Sequence, residues 1–274
     1  MGLAEEIFDL YDDADKDIRF LTASKVRSIV LLSILYGGKS SGEIAKATGI
    51  DTSSIIHAAR ELEEERYIVN ENGYHLTPKG KIFAINLMSF VDTFHTLSMN
   101  GFWEEHYIDD IPPKILRDIH KLRNSQIIKD TPSELMKGFL LYIKLLRNSK
   151  NIRGISSIFH PRFPNIIEKL AKRDATMEFI ITSSIFEKLR EEKLRRKLIE
   201  IMKRDNFSLY LIEKDVKLAF TVTESFLSFS LYFKNGMFDD NSTLISYDEK
   251  ALRWANSLFE HYMDISKPLH ASDL

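Results

Sequence analysis

Along residues 5–21 the apolar positions Ile7, Leu10, Tyr11, Ala14, Ile18 and Leu21 recur every three or four residues, which predicts an amphipathic helix with an acidic outer face. A second helix is expected over 25–36, capped by Ser24, apolar on most sides through Ile29-Val30-Leu31-Leu32, and closed by Gly37-Gly38. Residues 40–80 then change scale. Ser40 and Glu43 form an S-x-x-E capping box that starts a helix at Ser41, Gly49 ends it, and Asp51 caps the next one. On that next helix Ile55, Ala59 and Leu62 share one apolar face, which leaves Thr52, Ser53, Ser54, His57 and Arg60 pointing elsewhere. Glu71-Asn72-Gly73 between two short β-prone runs is a tight-turn signal and predicts a hairpin. Thr77-Pro78-Lys79-Gly80 leads into a long helix over 79–99 carrying Ile82, Phe83, Ile85, Leu87, Phe90, Val91, Phe94 and Leu97. That is more apolar surface than one small domain has to cover, so the helix is expected to join a homodimer interface or to pack on a second domain.

Pro112-Pro113 break the helical pattern, and the chain is expected to pass between domains there. After it the period changes. A strand over 154–159, a helix over 164–173, a strand over 176–182 and a helix over 183–204 read as a right-handed βαβ unit with a parallel strand pair. Strands are expected over 207–212, 216–222 and 226–233, then an Asn-Gly turn at Asn235-Gly236. Ser246 with Glu249 reads as a second capping box, opening a final helix with Leu252, Ala255, Leu258, Phe259 and Tyr262 on one face. The expectation is an α+β chain. Residues 1–100 form a winged helix-turn-helix domain (helix-turn-helix 40–66, wing 67–77, long helix 79–99), 101–153 a helical linker, and 154–274 an α/β domain with a mixed sheet that senses a ligand.

With 274 residues, 44% hydrophobic and 28% charged, the chain has the composition of a folded protein with room for two cores. The absence of Cys removes disulfides and thiolate metal sites and fits a reducing cytoplasm. No stretch approaches the roughly 20 apolar residues of a membrane span, and the acidic start lacks a signal-peptide layout, so a cytoplasmic protein is expected. Charge cuts across the helix-turn-helix pattern. Residues 1–100 hold 10 Lys and Arg against 15 Asp and Glu, whereas nucleic-acid binders normally carry a basic footprint.

Enzymatic signatures are missing. No His is followed two positions on by Lys, and there is no H-E-x-x-H helix, no phosphate loop, no G-x-S-x-G turn and no dinucleotide-binding turn. Catalysis is not expected, nor a cofactor or metal. The expected DNA contacts are Ser40, Thr52, Ser53, Ser54, His57, Arg60, Tyr74 and Lys79. The expected ligand-binding residues are His160, Arg162, Ser183 and Ser184, just beyond two parallel strands, where open α/β sheets bind ligands. Trp103 and His106 would line the same cleft. Alternatively the two serines only cap a helix, His160-Pro161 only shapes a turn, and Trp103 is a core residue.

Leu62-Glu63-Glu64-Glu65-Arg66-Tyr67-Ile68 resembles the passage from recognition helix to wing in winged-helix transcription regulators. The strings Gly154-Ile155-Ser156-Ser157-Ile158-Phe159-His160-Pro161-Arg162, Phe226-Leu227-Ser228-Phe229-Ser230-Leu231-Tyr232 and Ala251-Leu252-Arg253-Trp254-Ala255-Asn256-Ser257-Leu258-Phe259 resemble archaeal regulators of the methanogenesis-regulator, FilR-like, type. Together with Ile108-Asp109-Asp110-Ile111-Pro112 this likeness spans nearly the whole chain. It implies a transcription regulator with an N-terminal DNA-binding domain and a C-terminal domain that senses a ligand or a partner; together with the apolar long helix, the expected partners are double-stranded DNA, a second copy of the chain and a small-molecule effector. The strand arrangement is also similar to phospholipase-D-like effector domains, by fold alone. Two rival classes remain: a regulator acting only through protein partners, and a phosphodiesterase-like enzyme.

Overall fold

The computed structural model describes every residue except Met1, Asn100 and Asp174. Its contacts divide the chain into two units, Met1–Val91 and Asp92–Leu274. The first holds α1 (Leu3–Thr22), α2 (Lys25–Ser33), α3 (Ser41–Thr48), α4 (Thr52–Glu64), β1 (Ile68–Asn70), β2 (Tyr74–Leu76) and most of α5 (Pro78–Leu97). Local chemistry sets these ends. The Ser40 hydroxyl accepts from the Glu43 amide while the Glu43 carboxylate accepts from the Ser40 amide, closing the box at the head of α3. Gly49 ends that helix at φ 73°, and the Asp51 carboxylate caps α4 by accepting from the Ser54 amide at 2.8 Å. Strands β1 and β2 pair antiparallel around Asn72-Gly73, with Ile68 opposite Leu76 and Asn70 opposite Tyr74. Ile55, Ala58, Ala59 and Leu62 of α4 close a core with Val30, Leu31, Ile44, Tyr67 and Ile68. Helix α2 stops at Ser33, short of the expected residue 36, because the next amides turn back to carbonyls only three residues away (Leu35 to Leu32, Gly37 to Ile34).

The second unit continues with α6 (Phe102–Glu105), α7 (Pro113–Leu116), a 3₁₀ turn (Ile119–Leu122), β3 (Gln126–Lys129), α8 (Lys137–Leu146), β4 (Asn151–Ser156), α9 (Phe163–Ala171), β5 (Thr176–Thr182), α10 (Ser183–Leu189), α11 (Glu192–Met202), β6 (Phe207–Ile212), β7 (Leu218–Thr223), β8 (Leu227–Leu231), β9 (Ser242–Ser246), α12 (Glu249–Met263) and β10 (Lys267–Leu269). Its eight strands form one mixed sheet in the order β10-β6-β5-β4-β7-β8-β9-β3. β4, β5 and β6 run parallel and the remaining pairs antiparallel. One face packs on α12 and on the segment from Phe102 to Leu122, around Phe229, Trp254, Phe259 and Tyr262. The other is covered by α8, α9, α10 and α11 over Met177, Phe179, Ile181 and Leu209.

Three expectations differ from this. The stretch 101–153 is not a helical connector, since β3 pairs with β9 at the sheet edge and Phe102, Trp103, Ile115 and Leu122 are buried in the α12 core. The helix expected over 183–204 is two helices, because Glu191 between them is extended at φ −56°, ψ 133°. The cap of α12 is Asp248, whose carboxylate accepts from the Lys250 amide at 2.7 Å; Ser246 ends β9 instead.

Candidate functional site

Two places in the molecule carry chemistry, one in each unit. The first is the outer side of α4. Helical spacing puts Ser53, Ile56, His57 and Arg60 on one exposed face, with Thr52 beside them at the first turn. The His57 side chain is 76% exposed, and Arg60 has no hydrogen-bond or ion-pair partner among the described residues. Glu61 borders this face: one carboxylate oxygen pairs with Arg27 at 2.7 Å and the other stands 4.0 Å from His57 Nδ1.

The other expected contacts fare less well. Ser40 hydrogen-bonds Glu43 at 2.7 Å and Ser53 hydrogen-bonds Asp51 at 2.6 Å, so both hydroxyls are engaged in caps. Hydrogen bonds from Ser53 and Ser54 hold the Asp51 carboxyl down to about 2, which keeps a negative charge at the head of α4. Tyr74 is buried in the core: as part of the hairpin its backbone bridges to Lys39, and its ring turns inward. Lys79 stands 4.1 Å over the Tyr67 ring and donates to the Glu65 carbonyl, a packing position. Ile56, 42% exposed between these polar neighbours, was not singled out from the sequence. Its signal was there: of the pair Ile55-Ile56, only Ile55 fits the buried i, i+4, i+7 face.

The second place is a cavity of about 380 Å³ between the sheet and helices α8 to α11. Its body is apolar, with Phe139, Phe159, Phe163, Phe179, Ile181 and Ile185 among the lining side chains. Thr221, Ser228, Ser230 and Thr243 form a hydroxyl-bearing strip on β7, β8 and β9. The Tyr142 hydroxyl sits 3.0 Å from Thr221 Oγ1, and Ser230 donates to Thr243 at 3.3 Å. Burial pushes the Tyr142 phenol up to about 12. Asp130, Asp239, Asp240, His160 and Ser156, whose hydroxyl donates to the Ile158 carbonyl at 2.8 Å, complete the polar lining.

Of the six residues expected to bind a ligand, only His160 lines this cavity. It packs 4.2 Å from Phe139, and its Nδ1 accepts from the Arg162 amide at 3.2 Å. Burial, with help from the Arg162 charge, pushes its imidazole below the ordinary histidine range. Arg162, Ser183 and Ser184 are exposed, and the Ser184 hydroxyl is spent on Thr182 at 2.9 Å. Trp103 is a core residue, its ring tilted 30° to Phe229 at 6.4 Å, and its Nε1 has no partner among the described residues. His106 is buried, bonded to the Phe102 carbonyl at 2.5 Å and to Asp239 at 3.1 Å. Burial alone would raise the Asp239 carboxyl, but hydrogen bonds from His106, Ser242 and Asn241 outweigh it and hold it below the ordinary range. The six therefore scatter: Trp103 lies in the α12 core on the opposite face of the sheet from the cavity, and Arg162, Ser183 and Ser184 stand exposed at the heads of α9 and α10. Among the described residues no group of three or more His, Asp or Glu could hold a metal ion. Nor is any helix long and apolar enough to cross a membrane.

Comparison with known proteins gives a match in each unit. Residues 15–95 match the family model described as the N-terminal domain of methanogenesis regulatory protein FilR1, and residues 139–265 the one described as its middle domain. The methanogenesis regulatory protein FilR1 of Methanothrix harundinacea (strain 6Ac) is 29% identical over 268 residues, covering 96% of this chain and 60% of that protein. The chain thus spans about 60% of the length of that curated relative. Among solved structures, TrmBL2, an archaeal chromatin protein, overlaps at TM-score 0.43 and 13% identity, over 89% of this chain and 94% of its own. A phospholipase D family member, Nuc from Salmonella typhimurium, overlaps at TM-score 0.39 and 14% identity, over 53% and 97%.

Proposed function

The chain belongs to the family of the methanogenesis regulatory protein FilR1, and from that premise we propose that it is a DNA-binding transcription regulator. A winged helix-turn-helix in residues 1–100 reads duplex DNA as a homodimer, and the α/β unit adjusts that reading when a small molecule occupies its cavity. The observation that carries the DNA part is the outer face of α4, the second helix of the pair, the one such folds lay in the major groove. Arg60 and His57 supply donors for base edges or phosphates, and Ile56 suits a thymine methyl. Exposed Ile82, Ile85, Val91 and Leu97 on α5, with Leu3, Ile7, Phe8 and Tyr11 on α1, support self-association.

Fluorescence anisotropy of the protein with its own upstream DNA and with a scrambled duplex, across a salt series, tests this. Preferential binding with a negative log-log salt slope is expected, lost in Arg60→Ala with the oligomeric state unchanged. One observation favours a second reading, regulation through protein partners alone: acidic residues outnumber basic ones in residues 1–100, and Asp51 stays ionised at the head of α4. Under it, Arg60→Ala leaves nucleic-acid behaviour untouched.

A further inference from the structure

The cavity has a chemical polarity of its own. Its lining holds three aspartates and His160, with no Lys or Arg. Asp130 is committed to the head of α8, accepting from the Met136 and Lys137 amides at 2.5 and 2.8 Å. Asp239 is committed to His106 and to the Asn241 and Ser242 amides, and stays ionised. Asp240 is exposed at the rim. His160, with its Nδ1 already accepting from a backbone amide and its pKa lowered, is neutral at neutral pH. A ligand carboxylate or phosphate would lose its hydration there and meet no countercharge, only like charge. A buried ammonium would lose its water too, and among the carboxylates Asp130 and Asp239 are already bonded to the protein while Asp240, which has no partner among the described residues, is exposed at the rim and away from the apolar body.

The hydroxyl strip is the remaining polar feature, and one member is open. Thr221 is paired with Tyr142, and Ser230 with Thr243. Ser228, between them on β8, lines the cavity, is 7% exposed, and has no hydrogen-bond partner for its hydroxyl among the described residues. Buried hydroxyls are normally satisfied, so the position asks for a partner that an occupant can bring. We infer that the cavity binds an uncharged, largely apolar molecule carrying one hydroxyl- or amide-type group, which pairs with the Ser228 hydroxyl, and that it excludes carboxylates and phosphates. This rests on the reading of the second unit, Asp92–Leu274, as the effector-sensing part of the chain, and it names the chemistry of that effector.

The test uses the full-length chain and the neutral fluorophore N-phenyl-1-naphthylamine. A saturable, one-to-one rise in emission is expected, reversed by 1-decanol and at least about tenfold less effectively by decanoate, which has the same chain and a charged head. Ser228→Ala is expected to weaken 1-decanol by about five- to tenfold while leaving the fluorophore within about threefold. Ala219→Phe, which fills the cavity from β7, abolishes fluorophore binding; circular dichroism and a cooperative unfolding transition show that the variant folds. Failure of the fluorophore to saturate, displacement by decanoate as effective as by 1-decanol, or insensitivity of 1-decanol to Ser228→Ala would each overturn the inference. Anisotropy on the same samples separates the two readings: a protein that takes 1-decanol but ignores DNA sinks the DNA reading and leaves the cavity chemistry standing.

Discussion

Strands β7, β8 and β9 have two faces built on one alternation and filled with opposite contents. Toward α12 they present Leu218, Val222, Leu227, Phe229, Leu231 and Leu244, all buried in a continuous core. Toward α8 the intervening positions are Ala219, Thr221, Ser228, Ser230 and Thr243, and there the cavity lies. Successive side chains of a strand point to opposite faces, so the backbone is the same and only residue volume differs. Large side chains fill the space between layers. Small ones leave it open, with hydroxyls as the wall, so the hollow face is a deliberate deficit of volume beneath a covering helix.

The comparison breaks most sharply at neighbouring positions on β8. Phe229 is fully buried, with Trp254 edge-on at 5.6 Å and Trp103 at 6.4 Å. Phe229→Ala is expected to cost about 3–5 kcal/mol in urea unfolding, the range for emptying an aromatic site in a packed core. Ser228→Ala one residue away should cost less than about 1 kcal/mol, since its hydroxyl has no protein partner to lose. Equal costs would mean that the hollow face is packed like the other.

Next in size is an alkaline effect. Tyr142 is held neutral in the fold, with its phenol at about 12, by burial against the cavity. A raised folded-state pKa contributes stability that is complete below the unfolded value near 10 and drains as pH rises toward 12. The amount is about 3 kcal/mol, and Tyr142→Phe should make the stability curve fall less steeply between pH 10 and 12. A variant curve that falls in parallel with the parent's would place the alkaline loss elsewhere.

How far this was legible follows the range of the interaction concerned. Ser40 with Glu43, Asp51 with Ser54 and the Asn72-Gly73 turn act over two or three residues, so spacing alone located them. Strand β5 was plain because it is buried on both faces and reads as one apolar run. Strand β3 was not, since Ile127-Ile128 make sense only once β9 lies beside them. Tyr74 and Lys79 looked like surface contacts, and only the closed hairpin turns one into the core and sets the other over Tyr67. The strand expected over 226–233 is there as Leu227–Leu231, but its β-prone composition does not say that Ser228 and Ser230 share a face, or that α8 roofs that face and turns it into a cavity wall.

The roof depends on a close approach. A Cβ built at Gly138 would stand 2.9 Å from Thr243 Oγ1 and 3.2 Å from Thr243 Cβ, so α8 meets β9 only because residue 138 lacks a side chain. Gly138→Ala is expected to lift that end of α8, at a cost of about 1–2 kcal/mol, and to weaken N-phenyl-1-naphthylamine several-fold. Thr243→Ala, which removes the hydroxyl that the new Cβ would meet, should restore part of both.

The smallest expected effect has the opposite sign and sharpens the contrast most. If the hollow face is a volume deficit kept for an occupant, adding methyl groups there should stabilise the empty protein, because new contacts form where nothing now touches. Ala219 lines the cavity from β7, a strand position that a β-branched side chain suits. Ala219→Val should raise unfolding stability by about 0.5–1 kcal/mol and lower fluorophore affinity in the same protein, the exchange of function for stability seen where a site is held open. The same addition on the packed face, as in Val222→Ile, has no free volume to enter and should destabilise or do nothing. Stabilisation at both positions would mean that the two faces are equally underpacked, and the hydroxyl strip would then be an ordinary polar edge of the sheet.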